Sequence, residues 1–356
     1  MKLFKCQACG QLLYFENTRC ENCGHTLGYL PEEAELTALE DAGGAWHAWQ
    51  RPARPVRFCA NAGKGACNWL VTAERDEEFC LACRHNNMVP DLSVPGNMML
   101  WRKMELAKRR LFYTLIRLGL PLASRAEDPR HGLAFDFLAG APSVMGRRAM
   151  MGHENGLITL AVEEADDAER ERMREALGES YRTLLGHLRH EVGHWFWDVL
   201  VRDAWPNRLD AFRALFGDER EDYAEALRRH YAQGAPADWQ QRFVSPYATA
   251  HPWEDWAETW AHYLHMVDTL ETARAFGLRV RPGIARQEEG LSAELDFDPH
   301  AAGNDIARLV GAWLPLTFAV NSLNRSMGQP DLYPFVLSPA AIGKLGFVHR
   351  IVHGEP

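Results

Sequence analysis

No cysteine lies beyond Cys83, no apolar run approaches the roughly 20 residues that cross a bilayer, and no surplus of basic charge is present. The charge balance argues against nucleic acid as a partner. The chain carries a net charge of -9, and its first hundred residues hold nine lysines and arginines against twelve aspartates and glutamates, a poor footprint for phosphate. The lack of a spanning run points to a soluble protein with no membrane partner. The opening Met1-Lys2-Leu3-Phe4-Lys5-Cys6 offers neither the apolar stretch nor the small-residue cleavage site of a secretory signal, so a cytoplasmic location is expected. In a reducing compartment, eight cysteines are better explained as metal ligands than as disulfides.

What is present divides the chain in two. With 356 residues, 47% hydrophobic and 24% charged, there is enough material for a small module and a larger domain. The crowding of cysteine at one end sets a module over residues 1–95 and a second domain over 96–356. Cys6, Cys9, Cys20 and Cys23 form C-x2-C-x10-C-x2-C, with Gly10 and Gly24 after each knuckle where a tight turn needs them. Cys59, Cys67, Cys80 and Cys83 repeat the theme with a wider first pair. Each set suits one structural zinc, since four thiolates leave the ion no open position. Spacing does not separate zinc from iron. The Pro-, Gly- and Trp-containing connector between the sets, from Asp41 to Pro55, reads as turns and extended chain wrapped around the module.

Downstream, the apolar periodicity of Leu100, Met104, Leu111, Leu115 and Leu118 predicts a helix over 98–118. Glycine-led apolar runs predict strands over 132–138 and 156–162, the second a candidate edge on which an extended peptide could add. Helices are expected through Val201 and over 209–216, 219–232, 253–276 and 305–323, and an acidic surface segment over 286–298. Strands ahead of helices make the class α+β, mainly helical.

Within the helix ending near Val201 lies His190-Glu191-Val192-Gly193-His194. Two histidines at i and i+4 share one helical face and can present imidazole nitrogens to one ion, while the intervening glutamate can reach a water bound to it. Glycine at position 193 costs helix stability, and close approach of a neighbouring element is a common reason to keep it. A third protein ligand is needed. The richest source is His251-Pro252-Trp253-Glu254-Asp255-Trp256-Ala257-Glu258-Thr259-Trp260-Ala261-His262, where Glu254 and Glu258 stand one turn apart. His251, His262 and His265 are rivals for the same role.

H-E-x-G-H, then Tyr247, then Glu254-Asp255-Trp256-Ala257-Glu258 resembles the gluzincin arrangement of anthrax-lethal-factor-type peptidases. The resemblance implies Glu254 as third ligand, Glu258 as its support, and Tyr247 as a hydroxyl facing the tetrahedral intermediate. HEVGHWFWDVLV with HPWEDWAETWAHYLHM is more closely similar to bacterial zinc-binding metallopeptidases that join a zinc ribbon to a zincin-like domain. SprT-type proteases share the ingredients but use a histidine as third ligand and usually carry the ribbon after the motif. The implied function is peptide-bond hydrolysis by one catalytic Zn2+, with Glu191 as general base and two structural Zn2+ in the module. A peptide or protein is the expected substrate. The alternative is an interaction protein whose ribbons bind a protein or nucleic-acid partner beside an inactive or structural metal site. A protein partner for the ribbon module fits either reading.

Overall fold

The computed structural model describes residues 1–43, 45–74, 76–140, 152–177, 181–284 and 290–355. The chain falls into two compact units, Met1–Met173 and Arg174–Pro356. In this division by compactness, a helix and a sheet that follow the cysteines fold with them.

In the first unit, strands β1 (Phe4–Lys5) and β2 (Leu12–Leu13) carry the first cysteine knuckle. A five-stranded antiparallel sheet follows in simple sequential order: β3 (Thr26–Leu30), β4 (Glu35–Asp41), β5 (Trp46–Ala48), β6 (Arg51–Phe58) and β7 (Leu70–Thr72). Leu30, Leu39, Ala48, Val56 and Leu70 close its core. This corrects the expectation for the connector. Trp46–Ala48 and Arg51–Phe58 are paired strands with a register shift after His47, and Gly44 lies outside the described residues. Its prolines masked the strand signal, since proline depresses strand propensity without abolishing it.

Helix α1 (Asn97–Arg117) buries Trp101, Met104, Leu111, Phe112 and Leu115, close to the periodicity expected of it. A mixed sheet in the order β10-β11-β9-β8 accompanies it. It comprises β8 (Asn86–Met88), β9 (Ala134–Leu138), β10 (Gly152–Glu154) and β11 (Leu157–Ala161). Asn155 and Gly156 at the β10–β11 turn have φ of 47° and 85°, the left-handed pair of a tight hairpin. A side chain at 156 would also meet the Gly132 and His131 carbonyls at 2.6 Å. The β11 strand is not the open edge expected of it. It is paired with β10 on one side and β9 on the other, so no backbone row remains for a peptide. His153 caps the same turn by accepting from the Gly156 amide at 2.8 Å.

Helix α2 (Asp167–Leu177) precedes the second unit's own helices: α3 (Leu184–Trp197), α4 (Pro206–Phe216), α5 (Tyr223–Gln233), α6 (Pro252–Ala275), α7 (Ile306–Ser326) and α8 (Pro339–Val352). A two-stranded ladder, β12 (Arg279–Val280) with β13 (Ala293–Glu294), completes the described elements. Residues 286–289 of the expected acidic segment lie outside the described residues. Thr183 caps α3 by accepting from the Gly186 amide at 3.0 Å, and the helix ends in a π-turn over Asp198–Arg202 before Pro206. Helix α8 has no counterpart among the sequence expectations. Helix α7 is, by length and composition alone, long and apolar enough to cross a membrane, against the expectation of no such segment.

The second unit is built around α6, whose Trp256, Trp260, Tyr263, Leu264 and Val267 are wholly buried. Helix α3 packs on it at close range. Phe196 stacks on Trp260 with centroids 4.7 Å apart, the Trp256 indole donates to the Gly193 carbonyl at 2.8 Å, and a Cβ at position 193 would meet Ala257 Cα at 3.2 Å. The close-approach reading of Gly193 is thus correct.

On the far side, α8 sends Lys344 to Asp255 at 2.5 Å, both side chains nearly inaccessible. Lys344 also donates to the Arg242 carbonyl. Burial pushes the Asp255 carboxyl up to about 7, while the ammonium opposes that rise. Lys344→Met leaves this carboxylate without its cation. Urea denaturation at pH 8 is expected to show a loss of about 3–5 kcal/mol. The loss should shrink as pH falls toward 7 and then level off, because without the ammonium burial holds this carboxyl higher still, and once protonated in both proteins it needs no counter-charge.

Candidate metal centres

Among the described residues, four groups of donor side chains bring their ligand atoms within 4.8 Å of one another. Two are the cysteine sets. Cys6 Sγ lies 3.6 Å from Cys23 Sγ, Cys9 Sγ is 3.6 Å from Cys20 Sγ, and Cys67 Sγ is 3.7 Å from Cys80 Sγ. Four thiolates bonded to one tetrahedral zinc at about 2.3 Å stand about 3.8 Å apart, against about 2.0 Å in a disulfide. All eight are free thiols with spacings that suit a metal. Their settings differ. Cys9 and Cys23 reach the surface, whereas Cys59, Cys67, Cys80 and Cys83 are all buried. Below the second set, α1 supplies Glu105 to the Cys83 thiol at 3.6 Å, with buried Lys108 paired to that carboxylate at 2.9 Å. An organomercurial titration of the metal-loaded protein is therefore expected to release the ion of the Cys6 set at least tenfold faster than that of the Cys59 set.

The third group joins α3 to α6. His190 Nε2 and His194 Nε2 are 3.2 Å apart, and Glu254 Oε2 lies 3.0 Å from the first and 3.7 Å from the second. Donors bonded to a tetrahedral zinc at about 2.0–2.1 Å would be separated by about 3.3 Å, so the three atoms fit one ion. The sequence explains the convergence. The histidines are one turn apart on α3, and Glu254 sits in the first turn of α6, whose start is fixed by Pro252 and by the His251 ring accepting from the Trp253 amide at 3.1 Å.

Around these atoms the polar groups are ordered. Glu258, one turn beyond Glu254, lies 2.7 Å from His190 Nδ1, and Ser245 donates to its other oxygen at 2.6 Å. A proton on Nδ1 donated to Glu258 leaves the Nε2 lone pair for a metal. Tyr223 of α5 donates to Glu254 Oε1 at 2.6 Å, so only Oε2 of that carboxylate faces the imidazoles. Burial opposes charge throughout, but opposite neighbours prevail: Glu254 is held well below the carboxylate range by His194 and His190, and His190 is raised well above its usual value by Glu254 and Glu258. Glu191 is buried too. Its Oε1 pairs with His187 Nε2 at 3.0 Å, its Oε2 has no partner among the described residues, and the imidazoles overcome burial to hold the carboxyl at about 2. The Tyr247 ring lies 5.9 Å from that of His190, and burial raises its hydroxyl well above 10.

The rival histidines are engaged elsewhere. His251 Nε2 lies 3.2 Å from the Glu221 carbonyl, its other nitrogen capping α6. His262 meets the Tyr333 hydroxyl at 2.7 Å and is pushed down to about 4 by burial, and His265 lies by Tyr181 and Arg189. Glu258 takes the imidazole rather than the cluster's centre. Sequence reading missed His187, Tyr223 and Ser245. The i, i+4 argument applied to Glu191 reaches His187, but Tyr223 and Ser245 stand at no motif spacing. The fourth group, Asp268, Glu271 and His300, is buried, with Asp268 paired to Arg189 and His300 lying 3.3 Å from Asp298.

No solved structure matches the chain. Uncharacterized proteins from Mycobacterium bovis and from two strains of Mycobacterium tuberculosis are each 42% identical over 354 residues, spanning 99% of this chain and 95% of theirs. A zinc-ribbon domain model matches residues 3–94. Residues 97–351 match the model of a family described as "Putative zinc-binding metallo-peptidase". With the clustered donors of α3 and α6 inside that match, the chain belongs to this zinc-binding metallopeptidase family.

Proposed function

We propose that the protein is a zinc-dependent peptidase of gluzincin type, with His190, His194 and Glu254 as ligands of one catalytic ion and the two cysteine sets each holding a structural zinc. The observation that carries this reading is the meeting of three metal-type donors at 3.0–3.7 Å with a buried carboxylate, Glu191, whose Oε2 has no partner among the described residues. A purely structural site has no use for that carboxylate. An unpaired buried oxygen costs on the order of 1–3 kcal/mol, a cost justified where the oxygen receives a proton.

Zinc in such a site supplies a Lewis acid and a water acidified toward about neutrality. The chain's residues do the rest. Glu191 Oε2 takes the water's proton and returns it to the leaving amine. Its low proton affinity in the folded chain keeps it ionised, as a base must be. Tyr247 carries a neutral hydroxyl, suited to donate to the oxygen of the attacked carbonyl. Glu258 and Tyr223 hold the ligands His190 and Glu254 in place. The substrate in this reading is a peptide or protein met in the cytoplasm, where thiolate-held zinc persists. The ribbon module offers a surface for a protein partner.

Elemental analysis of the full chain should give about three zinc ions, falling to about two in the His190→Ala/His194→Ala variant. Glu191→Gln should keep all three while cleavage of a peptide library falls about 10²- to 10⁴-fold. An unchanged count of two in both wild type and double variant would replace the peptidase with a ribbon-based interaction protein.

A further inference from the structure

One contact in the site is outside the H-E-x-x-H pattern. His187 stands on α3 one turn before Glu191, on the same face, with its Nε2 3.0 Å from Glu191 Oε1. The pair is largely shielded, the side chains being 18% and 9% exposed. The two oxygens of Glu191 thereby become unequal: Oε1 is tied to the imidazole, while buried Oε2 has no partner among the described residues. A glutamate has three rotatable side-chain bonds, and an untethered one would sample several orientations. Tied through one oxygen to a ring on the same rigid helix, the carboxylate is restricted and its second oxygen is held in one place.

We propose that His187 is a positioning residue for Glu191, its Nε2–H holding one carboxylate oxygen so that the other is fixed to receive the proton of the attacking water. The proposal rests on the reading of Glu191 as general base. It gives the helix a working unit one turn longer than H-E-x-x-H, namely H-x-x-H-E-x-x-H over 187–194. His187 touches no reacting atom. Its effect passes through the angle and occupancy of one carboxylate, so it should appear in turnover and not in substrate or metal affinity.

The experiment compares wild type, His187→Leu, His187→Gln and Glu191→Gln as zinc-loaded full chains. Three readouts are taken: hydrolysis of a quenched-fluorescent peptide library, zinc content, and the pH titration of the His187 ring by ¹⁵N–¹H NMR. The expected result is that His187→Leu lowers kcat about 10- to 100-fold at unchanged KM, zinc content and melting temperature, and that His187→Gln, which can still donate to Oε1, recovers most of it. The His187 ring should lose about tenfold in proton affinity in Glu191→Gln. A His187→Leu chain with wild-type kcat, or one whose loss follows zinc content or melting temperature, overturns the proposal. If wild type cleaves nothing in the library, the peptidase reading fails and with it the catalytic use of the pair. The ring titration then separates the two failures. A shift in Glu191→Gln retains the His187–Glu191 bond as structure, and no shift removes the bond as well.

Discussion

The His190, His194 and Glu254 cluster depends on how closely α3 approaches α6. A metal site needs donors separated by little more than 3 Å, and donors on two helices reach that distance only if the backbones are brought unusually near at the right turn. Gly193 permits it: with no side chain there, the edge of Trp260 and the backbone of Ala257 fill the space where a Cβ would sit. The Trp256 indole bonded to the Gly193 carbonyl and the Phe196–Trp260 stack fix the register. Once that register is set, Glu254 faces His190 and His194, and Glu258, one turn on, faces the outer nitrogen of His190.

This packing also places charge where burial makes it costly. His190, Glu191, Glu254 and Glu258 are all removed from water, and each is tolerated through a neighbour of opposite sign or a hydroxyl donor. Tyr223 and Ser245 each satisfy one carboxylate oxygen, leaving the other oxygen of each carboxylate toward the imidazoles. Lys344 serves Asp255 in the same way on the opposite side of α6, so the helix bearing the third donor is charge-balanced on both flanks. The cysteine sets follow a different rule. Their donors come from tight turns, and burial separates a half-exposed first set from a second set buried against α1.

The parts of this architecture that were legible in the sequence are those encoded over a few residues. Helical periodicity located α1, α3, α6 and α7 to within a few residues, and C-x2-C and H-E-x-x-H spacing identified donors whose geometry is set by one knuckle or one helical turn. The five-stranded sheet of the first unit was hidden, because its strands β5 and β6 are short and proline-bearing and acquire their identity from their neighbours. The second strand run was read correctly as a strand and wrongly as an edge. Whether a strand is central depends on pairing with β10 and β9, which no property of Leu157–Ala161 itself records.

The sequence by itself determined the donor chemistry: that the eight cysteines fall into two sets of four, and that a glutamate stands between two histidines on one helical face. The tertiary structure decided which carboxylate comes near both imidazole Nε2 atoms and which meets the outer nitrogen of His190. Glu254 and Glu258 lie one turn apart on one helix and are chemically equivalent, so only the angle and height at which α6 meets α3 distinguishes them. It also engaged His251, His262 and His265 elsewhere, and it brought Tyr223 and Ser245, distant in sequence, to the carboxylates. Those assignments depend on interhelical distances of a few ångströms, set by the packing of tryptophans and one glycine and not by spacing along the chain.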